Sequence, residues 1–239
     1  MIKEKNIFGN AVEGESYAGK TSALEAMKEI GDLRENGIIV VPEYAVMGSF
    51  LPFPRESISD LKNSIQRIID IEKKRTDYLS DELNKNKESQ VMFDRGPVSC
   101  IAFEYAAEKS GFKGAALWLA DAIQKEINDK NIIIPRGNIH LTASKEVIEK
   151  RREIDLAKGK GDIMSFLKDE KVIKNLNEAF KTYGEILPEQ LFLSLKTDGK
   201  TPDEVGAYLL QFIRNQKEDV EDHIPDFVEY AETLIKNKK

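Results

Sequence analysis

The sequence contains a single cysteine, Cys100, and two histidines, His140 and His223, among 239 residues. One thiol excludes an intramolecular disulfide framework, and so few soft ligands argue against a cysteine-rich metal centre or a structural zinc site. No apolar run approaches the roughly 20 residues of a membrane span. Met1-Ile2-Lys3-Glu4-Lys5 lacks the apolar core of a secretory signal. Positive charge is not in excess either. Thirty-six Lys and Arg oppose 42 Asp and Glu, a net charge of -6, so the overall basic signature of a nucleic-acid binder is missing. There are no repeats and no low-complexity tract. These absences leave a soluble globular protein of a reducing, cytoplasmic compartment, with no membrane and no nucleic acid as partner. Its length suits one substantial α/β core.

What the chain does contain is Gly14-Glu15-Ser16-Tyr17-Ala18-Gly19-Lys20-Thr21-Ser22, which satisfies the phosphate-loop pattern G-x-x-x-x-G-K-[ST]. Asn6 to Val12 reads as a short strand before it. Ser22 to Ile30 has apolar residues at helical spacing after it. In that context the loop and the first turn of the helix aim unpaired N–H groups at one point, and the helix dipole adds positive potential there. Residues 14–22 are therefore the expected nucleotide-binding segment. Lys20 is expected to reach the terminal phosphates and the Thr21 hydroxyl to ligate Mg2+. Glu15 places a carboxylate inside an anion site, and is expected to point outward.

Four more strands are expected. Ile38-Ile39-Val40-Val41 is a continuous apolar run, as in a strand buried on both faces of a parallel sheet. Glu43 lies just past its carboxyl end, where ligands bind in open parallel sheets. Gln90-Val91-Met92-Phe93 ends in Asp94-Arg95-Gly96-Pro97, Asn138 to Thr142 is the fourth strand, and Leu191 to Leu195 the fifth. Between them, Ser57 to about Leu83 carries a helical stripe that includes Ile58. Arg55, Arg67 and Arg75 lie in or beside it as predominantly surface charges. Ala115 to Ile127 reads as a buried packing helix with Trp118 inside, and Cys100 as a small core residue. Lys158-Gly159-Lys160-Gly161-Asp162 is basic and glycine-rich, suited to a mobile flap. The alternation predicts a three-layer α/β phosphate-loop fold, with a parallel five-stranded sheet flanked by helices. One domain covers residues 1–216, with a lid around 145–162. A charged linker and an amphipathic helix cover 217–239.

With these segments in order, the chain resembles the thymidylate kinase and deoxynucleoside kinase group of phosphate-loop kinases from the loop to about Leu210. Val41-Pro42-Glu43-Tyr44 resembles the strand end that carries the catalytic glutamate, although here Tyr44 follows the glutamate directly. Phe93-Asp94-Arg95-Gly96-Pro97 is similar to the D-R-[HYS] motif, with Gly96 replacing a larger residue. Arg151-Arg152 with Lys158 and Lys160 resembles the arginine-bearing lid. Leu195 to Val205 is similar to the last strand and turn, near the adenine.

The resemblance implies ATP as phosphoryl donor and Mg2+ held by Thr21 and Asp94. The acceptor is a nucleoside or nucleoside monophosphate, and a homodimer is common in the group. Lys20, Glu43, Arg95, Arg151 and Arg152 are the implied catalytic residues. Glu43 acts on the acceptor hydroxyl, Arg95 positions the acceptor, and Arg151 or Arg152 neutralises charge in the transition state. A monophosphate acceptor would need further arginines, for which Arg55, Arg67 and Arg95 are available. Two other readings stay open. One is a nucleotide switch or ATPase without a small acceptor, although Leu195-Lys196-Thr197-Asp198 lacks the asparagine of N-K-x-D. The other is a kinase of a non-nucleotide metabolite.

Overall fold

A computed structural model describes residues 9–32, 37–48, 53–159, 165–216 and 225–236. Five parallel strands form one sheet: β1 (Asn10–Glu13), β2 (Ile38–Val41), β3 (Gln90–Asp94), β4 (Gly137–Thr142) and β5 (Phe192–Lys196). Their order is β2-β3-β1-β4-β5. β1 is central and its neighbours β3 and β4 continue to opposite edges. Its carboxyl end is thus a topological switch point, the place where open α/β sheets bind ligands.

The apolar strands bury both faces, as a parallel sheet with helices on each side requires. On one face Val12, Met92, Ile139 and Leu141 pack with Leu24 and Met27 of α1 (Lys20–Asp32) and Val205 and Leu209 of α8 (Pro202–Asn215). On the other, Ala11, Val91 and Phe93 meet Leu79 and Leu83 of α3 (Ile58–Lys85). A larger core unites α4 (Pro97–Lys109), α5 (Ala116–Asn128), α7 (Glu170–Ile186) and α9 (Phe227–Lys236). The remaining helices are the short α2 (Tyr44–Met47) and α6 (Lys145–Ala157). This is the expected three-layer arrangement.

Local chemistry sets the helix starts. Ser57 with Asp60 and Thr201 with Glu204 form capping boxes. Pro97 opens α4, where its missing N–H costs nothing, and Asp169 caps α7.

Several expectations need correction. Trp118 is half-exposed: α5 buries Leu119, Ala120, Ile123 and Ile127 and turns the indole outward. Ile58 is exposed as well, because the buried stripe of α3 begins only at Leu61. Apart from these corrections, the amphipathic α9 packs on the core through Phe227, Tyr230, Ala231 and Leu234, and the Tyr230 hydroxyl donates to the Ala179 carbonyl at 3.0 Å. The expected strand start at 6–8, the flap residues Lys160 to Asp162 and the linker at 217–222 lie outside the described residues.

Candidate active site

The phosphate loop follows β1 without a gap. Gly14 has φ of +136°, and a Cβ there would stand 2.2 Å from the Leu141 carbonyl oxygen of β4. Glycine is thus required by the neighbouring strand as well as by the turn. Gly19 has φ of +98°, with the Arg151 guanidinium against it. Tyr17 also takes a left-handed conformation, at φ of +62°, which is uncommon without glycine. Ser16 and Tyr17 are partly exposed at the cavity edge, Ala18 is buried beneath, and Ser22 lies exposed on the first turn of α1.

Lys20 is 6 % exposed and folds over the loop, donating to the carbonyls of Gly14 (3.1 Å) and Glu15 (2.8 Å). Burial and the nearby Arg95 charge lower its ammonium pKa to about 7, against the opposing pull of Asp94, Glu43 and Glu13. Glu15 does not point outward. It is buried, its carboxylate accepts from Asn177 of α7 at 3.5 Å, and burial raises its pKa. The loop thereby keeps this charge on the α7 side.

Asp94 ends β3 beside the loop. Its Oδ2 accepts from the Thr21 hydroxyl at 3.2 Å. Its Oδ1 is buried and has no hydrogen-bond partner. A buried carboxylate oxygen left unsatisfied is costly, and a hard cation with oxygen ligands is a fitting partner for it. The two expected metal residues are therefore together, in a donor set that suits Mg2+.

Arg95 stands at the centre. Its backbone is left-handed (φ +64°), and its N–H donates to the Val12 carbonyl at 3.1 Å. The side chain donates from Nε to Glu43 Oε1 at 2.6 Å and from Nη1 to the Gly14 carbonyl at 2.9 Å and Ser99 Oγ at 3.3 Å. Glu43 lies two residues past the end of β2 and meets this arginine at the end of the neighbouring β3. Burial works to raise the Glu43 pKa, but the charge and hydrogen bond of Arg95, with Lys20 and Arg75, bring it below the ordinary carboxylate range. An ionised carboxylate is thus held at the cleft, near the loop.

Loop, Glu43 and Arg95 share the wall of a cavity of about 720 Å³, within the 300–1,000 Å³ range of small-molecule sites. At one end Phe53 and Phe103 line it, while Phe180, beside His140 of β4, lines it near the loop. Phe53 packs on Phe166, which precedes α7, at 4.1 Å between centroids. Arg55 and Glu104 complete that end as a buried pair (2.5 Å), with Arg55 also donating to Ser64.

The two lid arginines part company. Arg151 is braced behind the loop, donating to the carbonyl of Tyr17 (3.1 Å) and to Thr197 Oγ1 (3.0 Å). Arg152 lines the cavity with Ile148 and Glu149.

Sequence reasoning missed the parts played by Glu13, Arg75 and Thr197, and did not foresee that Arg55 is buried. Glu13, fully buried at the end of β1, accepts from the Gly96 N–H at 2.7 Å and from the Ser99 hydroxyl. Burial pushes its carboxyl up to about 7, although Ser99 and Arg95 pull downward. Arg75, expected at the surface, is 1 % exposed. It donates to the carbonyls of Asp94 (3.3 Å) and Arg95 (2.5 Å) and to Glu72 (3.2 Å), and stacks on Tyr44. Arg55 is likewise buried. Thr197 donates to the Ala18 carbonyl at 3.0 Å, tying the turn after β5 to the loop.

A loop carrying lysine and threonine between a central parallel strand and a helix, with a carboxylate from the adjacent strand on the threonine, decides the architecture. The chain has a three-layer α/β phosphate-loop fold. No family model matches the sequence, and no curated protein matches it. Among solved structures, it is similar to thymidylate kinase from Candida albicans, with 19% identity, a TM-score of 0.47, and coverage of 87% of this chain and 91% of that one.

Proposed function

We propose that the protein is an Mg2+-dependent kinase that moves the γ-phosphoryl of ATP to a nucleoside or nucleoside monophosphate. The observation that carries this is the placement of Glu43, held ionised by Arg95, on a wall shared by the phosphate loop and an aromatic-ended cavity. The same cavity runs on from the loop to Phe53, Phe103 and Arg55, which leaves space for an organic acceptor beside the donor phosphates.

Lys20 and the loop amides hold the donor phosphates. Thr21 and Asp94 would hold Mg2+, which when bound neutralises phosphate charge and orients the transferred group. Glu43 orients the acceptor hydroxyl and takes its proton. Arg152 faces the cavity, where charge on the equatorial oxygens of the moving phosphoryl group is neutralised, while Arg151 keeps the loop in shape.

The side-chain pairing favours the uncharged nucleoside as acceptor. Arg95 is matched by Glu43, and Arg55 by Glu104, so two of the arginines that could receive a monophosphate already carry a carboxylate. ADP release is the test, measured with ATP and Mg2+ in the presence of a panel of nucleosides and their monophosphates. Stimulation by one acceptor is the expected result. Slow hydrolysis that no acceptor changes would instead support a nucleotide switch, and stimulation only by a non-nucleotide alcohol would reassign the cavity.

A further inference from the structure

Around Arg95 the hydrogen bonds run in both directions between two segments. From the turn after β3, the Arg95 N–H donates to the Val12 carbonyl and the guanidinium to the Gly14 carbonyl. Between those two residues stands Glu13, whose side chain turns back to accept from the Gly96 N–H and the Ser99 hydroxyl. Ser99 Oγ in turn accepts from Arg95 Nη1. The carboxylate therefore grips the backbone immediately after Arg95 and, through one hydroxyl, the tip of its side chain. Glu13 is fully buried, so neither contact is shared with solvent.

This grip has something to resist. A left-handed arginine is strained, and persists only where its surroundings over-determine it. Arg75 restrains the same turn from α3 through the carbonyls of Asp94 and Arg95. Only Glu13, however, belongs to the strand that continues into the phosphate loop. It is the side chain that fixes the position of Arg95 relative to the donor site.

We propose that Glu13 is a positioning residue for phosphoryl transfer: through Gly96 and Ser99 it sets Arg95, and with it Glu43, in register with the phosphate loop. It touches neither substrate. Its kinetic consequence rests on the kinase reading above; its effect on Arg95 does not.

The experiment pairs steady-state kinetics with the arginine Nε–Hε signals of 15N-labelled protein, with Arg95 assigned from an Arg95→Lys spectrum. Glu13→Gln keeps an oxygen for the Gly96 N–H but removes the charge, and Ser99→Ala removes the hydroxyl link. In each variant the Arg95 signal should shift and exchange faster with water, while ATP binding by calorimetry stays within about twofold. Misplacing a positioning group costs about ten- to a hundredfold in kcat. Because both act along one route, the double variant should lose little beyond the worse single one. An Arg95 signal unchanged in Glu13→Gln overturns the proposal, as does full additivity in the double variant. If Glu13→Gln fails to fold, the Ser99→Ala spectrum decides by the same criterion. Should the wild type phosphorylate no acceptor, the kinase reading fails, and the Arg95 signal still decides whether Glu13 positions it.

Discussion

Replacing Glu43 with glutamine tests the chemistry most directly. The substitution keeps the shape of the side chain and one oxygen for Arg95 Nε, now 2.6 Å from the carboxylate. It removes the negative charge that accepts a proton. Glu43 and Arg95 are both partly exposed, so the lost ion pair should cost about 1 kcal/mol of stability or less. Arg95 also retains Gly14 and Ser99 as partners. General-base catalysis contributes roughly 10²–10⁴-fold, or about 3–5 kcal/mol of barrier. ADP release at saturating acceptor should fall by that factor, while ATP affinity by calorimetry remains within about twofold. The pH profile adds a second signature. Because Arg95 holds the Glu43 carboxyl low, kcat/KM should decline only at a pH below the ordinary glutamate range, and Glu43→Gln should abolish that limb. Full turnover in the variant would refute the role of base. A parallel loss of ATP affinity would mean that Glu43 supports the donor site instead.

Asp94→Asn should leave the fold intact but raise the Mg2+ concentration needed for half-maximal ATP binding about tenfold or more, since a neutral amide replaces the carboxylate; an unchanged Mg2+ titration would remove Asp94 from the metal site. Arg75→Leu should destabilise the protein by about 3–5 kcal/mol in urea unfolding, because Glu72 is left charged and buried. Adding Glu72→Leu should recover only part of this, since the carbonyls of Asp94 and Arg95 stay without their donor; complete recovery would contradict the clamp. His140 is buried beside Phe180, and burial lowers its pKa to about 4. The unfolded chain therefore takes up this proton first, and stability should fall as pH drops from about 6.5 towards 4, by roughly 3 kcal/mol. His140→Phe should remove most of that acid sensitivity, and urea midpoints at pH 7 and 4.5 that fall equally in both proteins would exclude His140 as its source.

The sequence made the loop, the five strands and the strand-end residues Glu43 and Asp94 legible, because each combines a local pattern with a position fixed by parallel-sheet topology. The buried charges were harder. Arg75 shares the i, i+3, i+4 stripe of Ile68, Ile71 and Leu79, with Glu72 three residues before it. A charged pair inside an apolar stripe was a usable signal that surface statistics outweighed. Glu13 had no such marker, since a glutamate before a glycine looks like any strand end until Gly96 and Ser99 are brought to it from 83 and 86 residues away. Arg151 and Arg152 are adjacent in sequence, yet a 100° turn of the helix sends one behind the loop and the other to the cavity. Trp118 misled because its neighbours are apolar while its own direction is outward.

The docking of α9 bears on how the molecule is made. Phe227 stacks on Tyr183 and Tyr230 meets it edge-on, and the cover they give to α5 and α7 comes from a segment translated after the whole sheet. While the ribosome is still adding those residues, a greasy flank of the nascent chain stands open to water and to other polypeptides. Burial of α5 and α7 is therefore finished only after the whole sheet has been made, and a stop codon placed after Gln216 should yield inclusion bodies rather than a smaller soluble protein.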